Sequence, residues 1–188
     1  GESPPLKPDT WRTPGYPLFL AALMLVVGRS PGALIVAQQG LGILQVLLLY
    51  GIARRFMTPR RAALAAVLLL VEPYHLFYSL WLMSETLFVT LLLLAWHAWQ
   101  AALATRRVRW FACLGLLAGV LVLVRPAGVL VPVAVGIGVI WTIVRRSAWK
   151  PLAAYVLCAA VLPGAWMLRN LVTAGHFDDV ELVSVASG

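Results

Sequence analysis

The chain has 188 residues, 62% of them hydrophobic and 12% charged, with a mean hydropathy of +0.90. Soluble domains carry about a quarter charged residues, so a soluble fold is excluded and an integral membrane protein is implied. The net charge of +8 does not point to nucleic acid, because the basic residues gather in three short clusters between apolar runs, where they act as topogenic charges.

In chain order, residues 1–15 read as the remnant of an outer loop and residues 16–30 as an interfacial or re-entrant helix. Tyr16 to Gly28 gives only about 20 Å of helix, too short to cross a hydrocarbon core of about 30 Å. The Arg29-Ser30-Pro31-Gly32 turn then leads into a transmembrane domain over residues 31–170. Its apolar runs, 31–53, 62–82, 84–104, 110–125, 127–144 and 151–168, approach the length of about 20 residues that a spanning helix needs. The expected architecture is an all-α polytopic bundle of about six spans plus one interfacial helix. Residues 171–188 read as the start of a further outer loop, and no hydropathy repeat relates the two halves.

Charge orients the bundle. Glu2, Asp9, Glu72, Glu85, Asp178, Asp179 and Glu181 fall at alternate ends of the runs, all on one side. Arg54, Arg55, Arg60, Arg61, Arg106, Arg107, Arg109, Arg145, Arg146 and Lys150 occupy the other. Short basic loops stay in the cytoplasm, which puts the acidic side outside. The connections at 83 and 126 are nearly absent, so tight hairpins are expected there. Trp11, Tyr16, Tyr74, Phe77, Tyr78 and Trp81 gather at the outer interface, while Trp99, Trp110, Trp141 and Trp149 lie toward the basic side. Cys113 and Cys158 fall inside apolar runs and read as small hydrophobes rather than a disulfide or metal pair. Residue 1 is Gly with no signal peptide after it, and sequence upstream is expected to be missing.

Ionisable groups at the rim of a bilayer are costly and mark functional sites. Glu85, opening the third span after Ser84, is the strongest suspect; the alternative is a carboxylate favoured by the helix dipole with Ser84 as cap. Arg125-Pro126 stands at an outer junction, where a positive charge opposes the orientation rule. It therefore answers to a partner, either Glu85 or Glu72 in an ion pair or an anionic ligand such as phosphate. Arg169-Asn170 repeats that logic at the end of the last span, with snorkelling as the alternative. In Arg12-Thr13-Pro14-Gly15-Tyr16-Pro17, Pro14 and Pro17 around Gly15 predict a stiff non-helical loop holding Arg12 and Tyr16 at the surface; the alternative is an ordinary entry turn for the interfacial helix. His75, His97 and His176 lack ligand spacing, so no metal site is expected, and His97 reads as interfacial. Gln38, Gln39 and Gln45 read as hydrogen-bonding links between helices.

Arg-Thr-Pro-Gly-Tyr-Pro-Leu-Phe at 12–19, Ala53-Arg54-Arg55, Ser84-Glu85-Thr86-Leu87-Phe88, Val124-Arg125-Pro126 and Trp166-Met167-Leu168-Arg169-Asn170 share their order and spacing with one family. Over residues 12–170 the chain resembles the GT-C membrane glycosyltransferases, in the bacterial branch of aminoarabinose transferases and protein O-mannosyltransferases. The resemblance implies transfer of a sugar from a polyprenyl-phosphate donor to a lipid, glycan or protein acceptor. It places that transfer, with inversion, at the outer face of the bacterial cytoplasmic membrane, with no nucleic acid involved. Arg12, Arg125 and Arg169 are physically suited to the charge on a lipid-phosphate leaving group, and Glu85 to orienting one of them or an acceptor hydroxyl; with Tyr16 they are the candidate substrate-binding residues, and Pro14, Gly15 and Pro17 shape the loop. The catalytic base is implied to be an aspartate in a first outer loop upstream of Gly1, so this chain resembles an internal piece of a larger enzyme; Asp9 does not match that position. No cofactor is implied by the residues present.

Two readings from other classes remain: a multi-pass transporter and a non-catalytic membrane scaffold. Transporters place charges and broken helices near the midplane. Here Glu85, Arg125 and Arg169 all lie near one interface, which favours an interfacial enzyme.

Overall fold

The computed structural model describes residues 13–72, 81–144 and 149–174, and those residues form helices and turns with no strand. Seven helices follow in order: α1 (Gly15–Val27), α2 (Pro31–Ala53), α3 (Pro59–Val71), α4 (Ser84–Thr105), α5 (Val108–Val124), α6 (Leu130–Val144) and α7 (Trp149–Ala174), with a 3₁₀ turn (Pro126–Val129) ahead of α6. The protein is an all-α membrane bundle. Pro31 and Pro59 open α2 and α3 at the first helical position, where a missing N–H costs nothing.

Pro31–Ala53, Ser84–Thr105 and Trp149–Thr173 are long and apolar enough to cross a membrane. Val108–Val124 and Pro126–Trp141 are shorter apolar helices. α1 buries no residue and leaves Leu18, Met24, Leu25 and Val26 on its surface, as expected of a short helix lying against lipid. The second expected span, 62–82, differs from the structure. Its helix stops at Val71, and Glu72 is extended with ψ 123°, because Pro73 clashes with a helical residue before it. The 13 residues of α3 cover about 20 Å.

Hydropathy says that helices cross but not which ones touch. Gln38 and Gln45 on α2 bond Thr86 and Thr90 on α4, and the His97 ring lies against Leu48 and Gly51. Residue numbers rise together on both helices, so α2 and α4 run parallel. α5 and α7 are the second parallel pair: a Cβ on Gly115 would strike the Tyr155 carbonyl, and one on Gly119 would lie 2.7 Å from the Ala159 carbonyl. Small residues at such faces let backbones approach where lipid supplies no hydrophobic drive for association. The core at the meeting of α4, α5, α6 and α7 is Ala95, Ala98, Ala102, Phe111, Leu114, Ala118, Leu121, Val139 and Tyr155. His97, expected at the interface, instead bonds the Leu48 carbonyl at 2.9 Å, pinning α4 to α2.

Candidate functional site

α4 begins after Met83, which is extended and offers no side-chain cap. Ser84 is therefore not the cap that the alternative reading of Glu85 supposed; it is the first helical residue, and its hydroxyl lies 3.5 Å from Glu85 Oε2. The uncapped N–H groups of the first turn favour the Glu85 carboxylate by about 0.3–1 kcal/mol. On α5 the chain leaves the helix at Arg125, extended at φ −147° and ψ 138° ahead of Pro126. The 3₁₀ turn then folds back so tightly that a Cβ on Gly128 would strike the Leu121 carbonyl. These two breaks bring Arg125 Nη1 within 3.0 Å of Glu85 Oε1.

Of the partners open to Arg125, the structure selects Glu85. The guanidinium remains 42% exposed and the carboxylate 25%. A pair that wet contributes at most about 1 kcal/mol, too little for a principal staple. A guanidinium has five N–H donors, more than one carboxylate can take, which leaves part of the planar fork for an anion.

Residues 13–16 close one flank. Thr13 donates to the Val124 carbonyl at 3.3 Å, satisfying a C-terminal carbonyl of α5 next to Arg125. Pro14 is the N-cap of α1, whose first turn already contains Gly15, Tyr16 and Pro17. The expected stiff non-helical loop is thus a helix start, with Pro17 exposed. Gly15 is needed for space rather than for unusual dihedrals: a Cβ there would lie 2.6 Å from the Leu123 carbonyl oxygen and 2.8 Å from the Val124 nitrogen. Tyr16 donates to Gln38 Oε1 at 3.2 Å. Burial first, and the nearby Glu85 charge second, push its phenol up to about 12, so it remains a donor at any physiological pH.

Gln38 is fully buried and joins three elements. Its amide oxygen accepts from Tyr16, while its amide nitrogen donates to the Trp81 carbonyl at 2.7 Å and to Thr86 Oγ1 at 3.3 Å. Sequence alone marked Gln38 as a helix link but gave no sign that it reaches the Tyr16 turn. Arg169 lies at the same end of the bundle on α7, stacked over the Trp166 ring at 4.5 Å and bonded to Asn170 Oδ1 at 3.3 Å. Among the described residues it touches neither Glu85 nor Arg125. Arg12, Tyr78, His75, His176, Arg145, Arg146 and the acidic residues before 10 and after 177 lie outside the described residues.

The arrangement is a half-exposed guanidinium oriented by a carboxylate, walled by a tyrosine and set where apolar helices end. Such a site suits an amphipathic anion presented from the bilayer. The class is a membrane glycosyltransferase that uses a polyprenyl-phosphate-linked sugar. Residues 9–167 match the family described as dolichyl-phosphate-mannose-protein mannosyltransferase, and the chain belongs to that family. No curated protein and no solved structure matches the chain.

Proposed function

We propose that the Glu85–Arg125 end of the bundle receives the phosphate of a polyprenyl-phosphate sugar, and that transfer takes place at the outer membrane face. The observation that carries this reading is Arg125, turned out of α5 by Pro126 and fixed by Glu85 at 3.0 Å with fork donors to spare. An acceptor hydroxyl on a lipid, glycan or protein attacks the anomeric carbon with inversion and gives its proton to a general base that is not among the residues of this site, the bond from that carbon to the phosphate oxygen breaks, and the polyprenyl phosphate leaves. A guanidinium already in place stabilises the charge that develops on the leaving oxygen. Glu85 is engaged with Arg125, so its part is to orient the guanidinium. Tyr16 and Arg169 stand at the same rim, suited to the sugar hydroxyls and to a second phosphate contact; Arg12 is the remaining sequence candidate. No metal is assigned to the reaction.

The sidedness follows from the Glu85 end carrying acidic residues and the opposite end arginines. The test uses membranes carrying the full-length protein, supplied with polyprenyl-phosphate mannose and an acceptor. Release of polyprenyl phosphate, lost in Arg125→Gln and partly kept in Arg125→Lys, supports the proposal. Uptake of free sugar with the lipid donor untouched would instead support a transporter.

A further inference from the structure

The end of the bundle opposite Glu85 carries a second patch. α2 and α4 run parallel, so their C-terminal turns emerge together: Arg54, Arg55, Arg60 and Arg61 around the α2–α3 turn, and Arg106, Arg107 and Arg109 around the α4–α5 turn. α4 runs about 12 Å beyond His97, so the two groups are staggered in depth. All seven arginines are exposed, and Glu72 and Glu85, the described acidic residues, are both at the far end. Exposed apolar side chains adjoin them, namely Phe56, Met57, Leu103 and Val108.

Topogenic function explains positive charge here but makes no distinction between Lys and Arg; the two turns carry only Arg, and the described lysine at this end, Lys150, stands apart from them at the start of α7. A further observation is independent of charge. Arg106 caps α4 in the left-handed conformation, φ 55° and ψ 17°, the one positive-φ non-glycine among the described residues. Glycine or asparagine is the favoured residue at such a cap, so an arginine in this conformation stands against local backbone preference. Arg54 donates to the Met57 carbonyl at 3.4 Å and Arg109 lies over the Trp110 ring at 5.8 Å, contacts that leave most N–H donors of these exposed forks facing outward. Apolar side chains beside exposed guanidinium forks match a lipid headgroup over its acyl chains.

We infer that this arginine end seats the phosphate of an anionic phospholipid from the surrounding leaflet, through guanidinium forks rather than through charge alone. The inference is independent of the sugar-transfer reading. The test measures retention of phosphatidylglycerol against phosphatidylcholine by native mass spectrometry of the purified protein from mixed micelles, beside its melting temperature in detergent. The protein is expected to retain phosphatidylglycerol in preference. Replacing Arg54, Arg55, Arg106 and Arg107 by Lys keeps the charge and is expected to lower that retention severalfold. Each Arg→Gln change is expected to lower it by about fivefold. Arg106→Gly should raise the melting temperature without lipid while lowering retention, opposite signs that a purely structural arginine does not produce. Equal retention of the two lipids, wild-type retention in the Lys variant, or a fall in the melting temperature of Arg106→Gly would each overturn the inference.

Discussion

Gly15→Ala is the sharpest probe of how the N-terminal turn serves the site. The new methyl would sit 2.6 Å from the Leu123 carbonyl oxygen, against the 3.4 Å at which ordinary contact begins, so α1 must withdraw by about 0.8 Å, the difference between the two. The atoms it meets belong to backbone and cannot rotate away. A withdrawal of that size lengthens the Tyr16–Gln38 bond from 3.2 Å to at most about 4 Å, beyond hydrogen-bonding range. The Thr13–Val124 bond, at 3.3 Å, breaks with it. Overpacking costs about 1–3 kcal/mol in a closed core. Here α1 buries no residue and can move outward into lipid, so most of the loss falls on the site and little on global stability. The assay pairs thermal melting of the helical signal in detergent with donor turnover in membranes, using Gly40→Ala as the control because its methyl meets nothing within 4 Å. A near-parental melt with turnover reduced about tenfold or more, equivalent to about 1.4 kcal/mol, is expected. Parental turnover in Gly15→Ala would refute the claim that close docking of this turn on α5 shapes the site.

Gly115→Ala, whose methyl would strike the Tyr155 carbonyl across the tightest helix pair, should lower stability by about 1–3 kcal/mol, read as a lower melting temperature. Gln45→Leu should cost less than about 1 kcal/mol despite full burial: Gln45 Oε1 has no partner, and the Thr86 carbonyl it releases still accepts from Thr90 Oγ1 at 2.8 Å. The same melt checks it. For topology, single cysteines at Thr58 and Thr105 in a Cys-free background should resist impermeant thiol reagents in intact cells while one at Ser187 reacts; labelling at Thr105 would reverse the map.

Much of the frame was legible because hydropathy and charge act locally. The starts of α2 and α4 follow from Pro31 and from the junction at 83, and Arg125 stood out because its charge lies at the end of the runs that otherwise carries the acidic residues. The sequence could not choose between Glu72, Glu85 and a ligand as its partner; that depends on the backbone turning out at Arg125 and on α4 starting at Ser84. Helix neighbours were harder to read for a related reason: lipid-facing and buried positions are equally apolar, and although Gly115 and Gly119, four residues apart, mark a close-approach face on α5, they do not name the helix that fills it. Gly15 was read as a dihedral need and proved to be a spatial one, which only the approach of α5 reveals. Gln38 looked like Gln45 in sequence, yet it alone meets Tyr16. The expected helix through residue 82 failed at Glu72 for a reason present in the sequence, the proline that follows it.

The central claim is that Arg125 receives a lipid phosphate. The direct measurement is the affinity of polyprenyl phosphate for the protein in nanodiscs, compared between wild type, Arg125→Lys, Arg125→Gln and Glu85→Gln, with folding checked by the helical melt. Loss of a charge-assisted contact of about 1.5–3 kcal/mol predicts affinity weaker by about tenfold or more in Arg125→Gln, with Arg125→Lys and Glu85→Gln between it and wild type and all melts alike. Unchanged affinity in a folded Arg125→Gln protein would contradict the account, and a lowered melt restored by combining Arg125→Gln with Glu85→Gln would leave the pair a structural tie alone.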